Sequence, residues 1–413
     1  MRLSCLISLL SCLVSLLFST PECQAKVLWE ISGEAPMTAS PLITDTGIYL
    51  VNHRQLIALS HKGQELWRVS LPATGHSQAV RAGDKLLVHS DDGLRALNLQ
   101  GQILWHHASE DGPYLVWGDS RGWGMGDFPD PWAFYRSAPT VSDQRVFYST
   151  LNGTYGVNLE SGIELWRQTT GATHTKAAVS GETLIVGSWD NTLYGLNQTT
   201  GEINWRFTNP PMQGEYANWT GWRGFNLDPV ARDNAVYVGG RGTYFFKINS
   251  QTGAPIWSTK HASSWIGSAA LVEGNHVYYG LSDGLALIGQ DTDSGNIERL
   301  IKADYPIFAQ PLSDGQYLYF ATLAGSVFRH SNADGSTVKL YQTDAGRRNL
   351  HTYTTTSGKP QYPALDTTVP AHQAATQQVQ TLLRELDSIL SLAAHGGQLY
   401  LGTANGRLIA LKL

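Results

Sequence analysis

A unit of roughly 40 residues returns eight times along the chain, each copy built of short β-forming runs between Gly, Asn and Asp turns, which predicts an all-β eight-bladed β-propeller. Two further observations point the same way. Most copies end on Gly-x-x-x-Trp: Gly63–Trp67, Gly101–Trp105, Gly162–Trp166, Gly201–Trp205 and Gly253–Trp257. The last copy lacks that ending, and the matching strand, Lys26-Val-Leu-Trp29, stands at the other end of the chain. An N-terminal strand that completes the last blade closes the ring and removes its open sheet edges.

The chain has 413 residues, 42% hydrophobic and 15% charged, and a closed repeat array can use that length as one domain. The expected organisation is an export signal over 1–25 followed by the propeller over 26–413. Arg2 gives the positive start, Leu3 to Phe18 is apolar apart from Ser and Cys, and Cys23-Gln24-Ala25 offers small residues for cleavage. That run is too short for a membrane span and no later segment approaches one, so no transmembrane segment is expected after cleavage. Cys5, Cys12 and Cys23 all lie in the signal, which leaves the mature chain without a disulfide or a thiolate. Leu9-Leu10-Ser11-Cys12 sits too early for a lipoprotein cleavage box, so lipid anchoring is not expected. The net charge of −5 leaves no basic stripe for phosphates and excludes nucleic acid.

Each unit follows one grammar, seen in the third. Ala138-Pro139 opens it, and Arg145-Val-Phe-Tyr148 is a β-rich run. Leu151-Asn-Gly153 turns into Tyr155-Gly-Val-Asn158, and Ser161-Gly162 turns into the Trp strand. Four short antiparallel strands per unit make one blade. The openings fall at Ser40-Pro41, Gln78-Ala79, Ala138-Pro139, Lys176-Ala177, Asp228-Pro229, Ala269-Ala270, Gln310-Pro311 and Ser391-Leu392. Arg299 and Lys339 replace the Trp in the sixth and seventh units. Trp29, Trp67, Trp105, Trp166, Trp205 and Trp257 recur at one strand position, as core between neighbouring blades requires.

The Ala-Pro opening, the Val-Tyr run, the Asn-Gly turn and the Thr-Gly-Glu-x-x-Trp ending resemble the quinoprotein-type, PQQ-like repeat family over nearly all the mature chain. The resemblance implies one of two branches. PQQ-dependent alcohol dehydrogenases hold the quinone and a calcium ion over the axis; they are longer and usually carry a vicinal disulfide, which this mature chain cannot make. BamB-like proteins are non-enzymatic eight-bladed rings that help assemble outer-membrane β-barrels, and size favours this branch. They are lipid-anchored through an N-terminal Cys, from which this sequence departs.

In such a ring the first strand of each blade lines the axial channel. Residues three and one before each opening share one side of that strand. Their polar members gather in blades two to five: His76, Gln78, Arg136, His174, Lys176, Asn226 and Asp228. A mouth with Arg, Lys and two His suits an anionic ligand, and solvated polar walls suit the same residues.

Three insertions break the period, at about 106–136, 209–226 and 341–388. The first carries Trp117, Trp123 and Trp132, and the second Trp219 and Trp222. With Trp265 they place aromatic rings on the face of the polar mouth, either packed as a lid or offered for stacking. The third contains Ala371 to Ser388, where Val379, Leu382, Leu383, Leu386, Ile389 and Leu390 recur at helical spacing, so one amphipathic helix is expected to dock on the ring.

Asp119, Asp127 and Asp130 follow no calcium-loop spacing, and no metal site is expected. No nucleophile elbow, zinc-binding His-Glu-x-x-His or phosphate loop is present, and no catalytic residue is assigned. The expected function is a periplasmic, monomeric, cofactor-free binding or assembly protein that meets an envelope protein partner or a small ligand on the insertion-bearing face. A quinoprotein oxidoreductase using PQQ with Ca2+ is the first alternative. A carbohydrate-binding propeller is the second.

Overall fold

The computed structural model describes residues 25–75, 77–110, 115–117, 127–129, 138–210, 224–240, 242–261 and 264–413. The export-signal reading therefore lies outside the described residues. The described chain is a β-propeller of six four-stranded antiparallel sheets, one seven-stranded sheet and one two-stranded hairpin. The four-stranded sheet of the third unit runs in chain order through Thr140–Ser142, Arg145–Thr150, Gly153–Asn158 and Glu164–Gln168. Its middle pair is in register from Arg145 opposite Asn158 to Thr150 opposite Gly153. Between the third and fourth strands the register slips once, between Gly156 and Val157, and the same slip recurs beside Trp205 and Trp257. Such a bulge adds twist and turns the Trp toward the neighbouring sheet.

The seven-stranded sheet takes in the first two units, joined by the single pair Gly75 opposite Ser90. Its long strand Gly47–Leu59 is broken by His53, whose φ is 53°. The arm before His53 pairs with Leu42–Thr44 and the arm after it with Glu65–Gly75.

The ends of the chain share one sheet, as the missing Trp strand predicts. Val27–Ser32 pairs antiparallel with Arg407–Lys412, with Trp29 opposite Ala410 and Ser32 opposite Arg407. Lys412 N–H donates to Lys26 O at 2.9 Å, which fastens the start of the ring to its last strand; just before it, Ala25 N–H donates to Leu340 O at 2.7 Å.

Core side chains sit between sheets, most clusters drawing on two consecutive units. Leu87, Leu94 and Ala96 of the second pack on Val146, Tyr148 and Val157 of the third. Tyr400, Leu408 and Ala410 of the last pack on Ile48, Leu50 and Ile57 of the first.

Both letters of the Gly-x-x-x-Trp phrase act across these seams. The Trp of one unit donates its indole N–H to a carbonyl of the next: Trp29 to His61 O, Trp105 to Leu159 O, Trp166 to Gln198 O and Trp205 to Ser250 O, all at 3.0–3.1 Å. The same ring lies flat against the Gly of that next unit. A Cβ on Gly162 would sit 2.6 Å from Trp105, and one on Gly201 2.5 Å from Trp166. These glycines also hold φ of +71° and +76°, which side chains rarely adopt. Each motif Gly thus receives the Trp of the preceding unit, while its own Trp enters the following one. Where Arg299 replaces the Trp, its guanidinium bonds Tyr278 OH at 2.9 Å and Asn332 Oδ1 at 2.7 Å, and Gly335 of the next unit has open space where a Cβ would stand.

The third insertion holds two helices rather than one. Helix α1 (Asp344–Asn349) is capped by Thr343 and runs into a 3-10 turn at Leu350–Tyr353. Helix α2 (Ala371–Glu385) begins after Pro370 and stops three residues short of the expected end. Ile389 and Leu390 continue its apolar spacing but belong to the strand Ile389–His395. Asp387 stops the helix: it turns at φ 41°, accepts from Asn405 N–H at 3.0 Å and pairs with Arg407. Among the described residues no helix is long and apolar enough to cross a membrane.

Candidate binding site at the ring axis

The first strands of the units converge on a cavity of about 110 Å³. Ser40, Gln78, Ala138 and Lys176 line one part of its wall. Asp228, Ala269, Gln310 and Ser391 line the rest, so the residue just before every unit opening reaches the cavity. Of the seven sequence candidates, Gln78, Lys176, Asn226 and Asp228 come together there. His174 is buried and is not part of the lining. His76 and Arg136 lie outside the described residues.

Most of the polar side chains in this wall tie neighbouring units together. Ser40 Oγ donates to Leu392 O at 2.9 Å, Gln78 Nε2 to Pro41 O at 3.3 Å and Gln310 Nε2 to Ala270 O at 2.7 Å. Ser391 Oγ bridges Met37 O at 3.0 Å and Ala39 O at 3.2 Å across the closing seam. The residues just before the openings thus form in part a hydrogen-bonded hoop that satisfies backbone carbonyls, with Gln78 the only one of the seven candidates in it. Gln310 and Ser391 stand in the same sequence column as Gln78, and only the choice of blades two to five left them out.

Charge enters the cavity at one place. Lys176 backbone N–H donates to Asp228 Oδ1 at 2.7 Å. Loss of hydration raises the Asp228 pKa above the ordinary carboxylate value, against the pull of that N–H and of the Lys176 charge. Beside it, Asn226 Oδ1 is buried without a hydrogen-bond partner.

One end of the cavity is apolar and belongs to a hydrophobic cluster shared with α2. Phe308 and Leu390 line the cavity and also pack with Val379, Leu382, Leu383 and Leu386 of the α2 segment. Trp189 and Ala404, from units on different sides of the ring, join the same cluster, and Ala172 packs against it. Trp265 meets Phe308 edge-on at 5.8 Å, so this ring packs into the cap. The other five aromatic candidates carry no described side chains; Trp117 lies in the hairpin Leu115–Trp117 and Asp127–Pro129, whose second strand runs beside α2. Phe225, at the end of the second insertion, is fully buried against Phe207 and Phe246. The amphipathic spacing of α2 was legible in sequence; its seat over the axis was not, because the same cluster takes in Trp189 of the fourth unit.

Comparison with known proteins decides the family. The sequence matches the family described as outer membrane protein assembly factor BamB over residues 22–122, 116–341 and 217–413. This chain belongs to that family. An outer membrane protein assembly factor BamB from Legionella pneumophila is 24% identical over 219 residues, 52% of this chain and 51% of that protein. The chain therefore matches about half the length of this curated relative. The crystal structure of BamB from Moraxella catarrhalis aligns with a TM-score of 0.65 at 14% identity, covering 94% of this chain and 100% of that one. A quinohemoprotein alcohol dehydrogenase from Pseudomonas putida aligns with a TM-score of 0.62 at 12% identity, covering 94% of this chain and 76% of that one. The fold is common to both branches, and the chain sits with the BamB-like one.

The described cavity does not fit the dehydrogenase cofactor. PQQ is a tricyclic tricarboxylate, whereas the described lining offers one ammonium opposite one carboxylate, beneath an apolar cap. Among the described residues no three His, Cys, Asp or Glu side chains gather as metal ligands.

Proposed function

We propose that this chain is a non-catalytic assembly protein of the cell envelope, an eight-bladed ring that meets a protein partner on its insertion-bearing face. The observation that carries the reading is the cap: the α2 cluster closes over the apolar end of the axial cavity through Phe308 and Leu390. The family match and the relatives named as outer membrane assembly factors support it. Counting the seven-stranded sheet as two blades linked through Gly75 and Ser90 gives eight blades, in agreement with the eight residues that reach the axis. The apolar segment before Ala25, with the closing strand Val27–Ser32 and the Lys412 N–H to Lys26 O bond just after it, supports export to the periplasm and cleavage after Ala25.

The rival is a quinone-using oxidoreductase. Titration of the purified protein with PQQ and Ca2+, followed by dye-linked alcohol oxidation, separates the two. The proposal expects neither saturable quinone binding nor turnover. Tight binding with alcohol oxidation overturns it.

A further inference from the structure

Two opposite charges face the axial cavity from neighbouring units without pairing with each other. Lys176 and Asp228 occupy the same register in the fourth and fifth units, and both line the cavity. The contact between them runs from the Lys176 backbone N–H to Asp228 Oδ1. Among the described residues the Lys176 ammonium forms no ion pair with that carboxylate, whose second oxygen has no hydrogen-bond donor. Both side chains are half-buried, and opposite charges facing one cavity without a direct ion pair leave room for a partner that bears both.

The uncharged lining is also lopsided. The side-chain donors of Ser40, Gln78, Gln310 and Ser391 are engaged by carbonyls of neighbouring units. What remains for an occupant is the amide oxygens, the free N–H groups of Gln78 and Gln310, and the side chains of Thr38 and Asn226, with the Lys176 ammonium as the strong donor. At the other end Phe308 and Leu390 give a small apolar surface.

We propose that this cavity binds a small zwitterion with one ammonium and one carboxylate, of the size of a small free amino acid. Its ammonium meets the open Asp228 oxygen and the amide oxygens, its carboxylate meets the Lys176 Nζ, and a short apolar side chain faces Phe308. The upward pull of burial on the Asp228 carboxyl is consistent with this, because a bound ammonium offsets the lost hydration. The assignment does not depend on the assembly role, and either can fail alone.

The test is isothermal calorimetry on the full mature protein with glycine and L-alanine, beside methylammonium and acetate as the two separate charges. The expected result is saturable binding of an amino acid, with each half-ligand weaker by about tenfold or more. Lys176→Met and Asp228→Asn should each weaken amino-acid binding by about tenfold or more, with unchanged circular dichroism showing that the ring is intact. Lys176→Met leaves the backbone N–H to Asp228 in place, which guards against loss of fold. No amino-acid binding at about 10 mM overturns the proposal, as do half-ligands that bind equally well or binding that survives both substitutions.

Discussion

Asp228, half-buried at the cavity wall, and the buried His261 are titratable groups with opposite consequences for stability. The folded pKa of Asp228 lies above its ordinary 3.8, so its stabilising contribution is full below that value and is lost as the pH rises through the raised pKa. Asp228→Asn should therefore be at least as stable as wild type at pH 7 to urea, with the gap closing toward pH 4. A clear loss at pH 7 contradicts the assigned burial cost. His261 is the reverse case. Burial lowers its pKa from 6.5 to about 4, so its stabilisation is present above 6.5 and lost as the pH falls toward 4. Tyr279 OH donates to Gln290 Oε1 at 2.8 Å and so must accept from His261 Nε2, which fixes the neutral tautomer. His261→Gln should flatten the acid limb of stability between pH 6.5 and 4, an effect on the order of 2 kcal/mol. An unchanged acid limb would show that His261 titrates freely.

At the scale of the element, the Gly-x-x-x-Trp ending joins two neighbouring units at once. Its period was readable, and so was the inter-blade role of the Trp. The role of the Gly was not, because the ring pressed against it comes from the preceding unit, as Trp105 does against Gly162. The contrast between Gly162 and Gly335 tests this directly. Both hold a positive φ, +71° and +72°, but only Gly162 carries a Trp ring where a Cβ would stand. Gly162→Ala should cost about 1–3 kcal/mol more than Gly335→Ala in urea unfolding. Equal losses would assign the cost to backbone conformation alone. The helix boundary had the opposite fate: Ile389 and Leu390 keep helical spacing, yet the Asp387 turn and its Arg407 pair send them into a strand. Periodicity does not register a stop set by a residue twenty positions downstream.

For the whole molecule, closure and capping are separate devices. Closure rests on Val27–Ser32, whose Trp29 donates to His61 O and fills the space over Gly63. Removing residues 26–32 exposes the Arg407–Lys412 edge, and the shortened protein should unfold at lower urea and self-associate in size-exclusion chromatography. A stable monomer would mean that the ring closes without its N-terminal strand. Capping rests on α2, whose Val379, Leu382, Leu383 and Leu386 pack with Phe308 and Leu390 at the axial cavity. The axial column was legible as residues of one register, but its use was not. Side chains that look free in sequence, such as Gln78 and Ser391, are taken by carbonyls of the adjacent unit. The most direct measurement of the assembly role is the abundance of outer-membrane β-barrel proteins in envelopes of cells lacking this chain. The account predicts a fall that is reversed by the wild-type chain and by Asp228→Asn alike; unchanged barrel levels, with a loss of quinone-dependent alcohol oxidation instead, would contradict it.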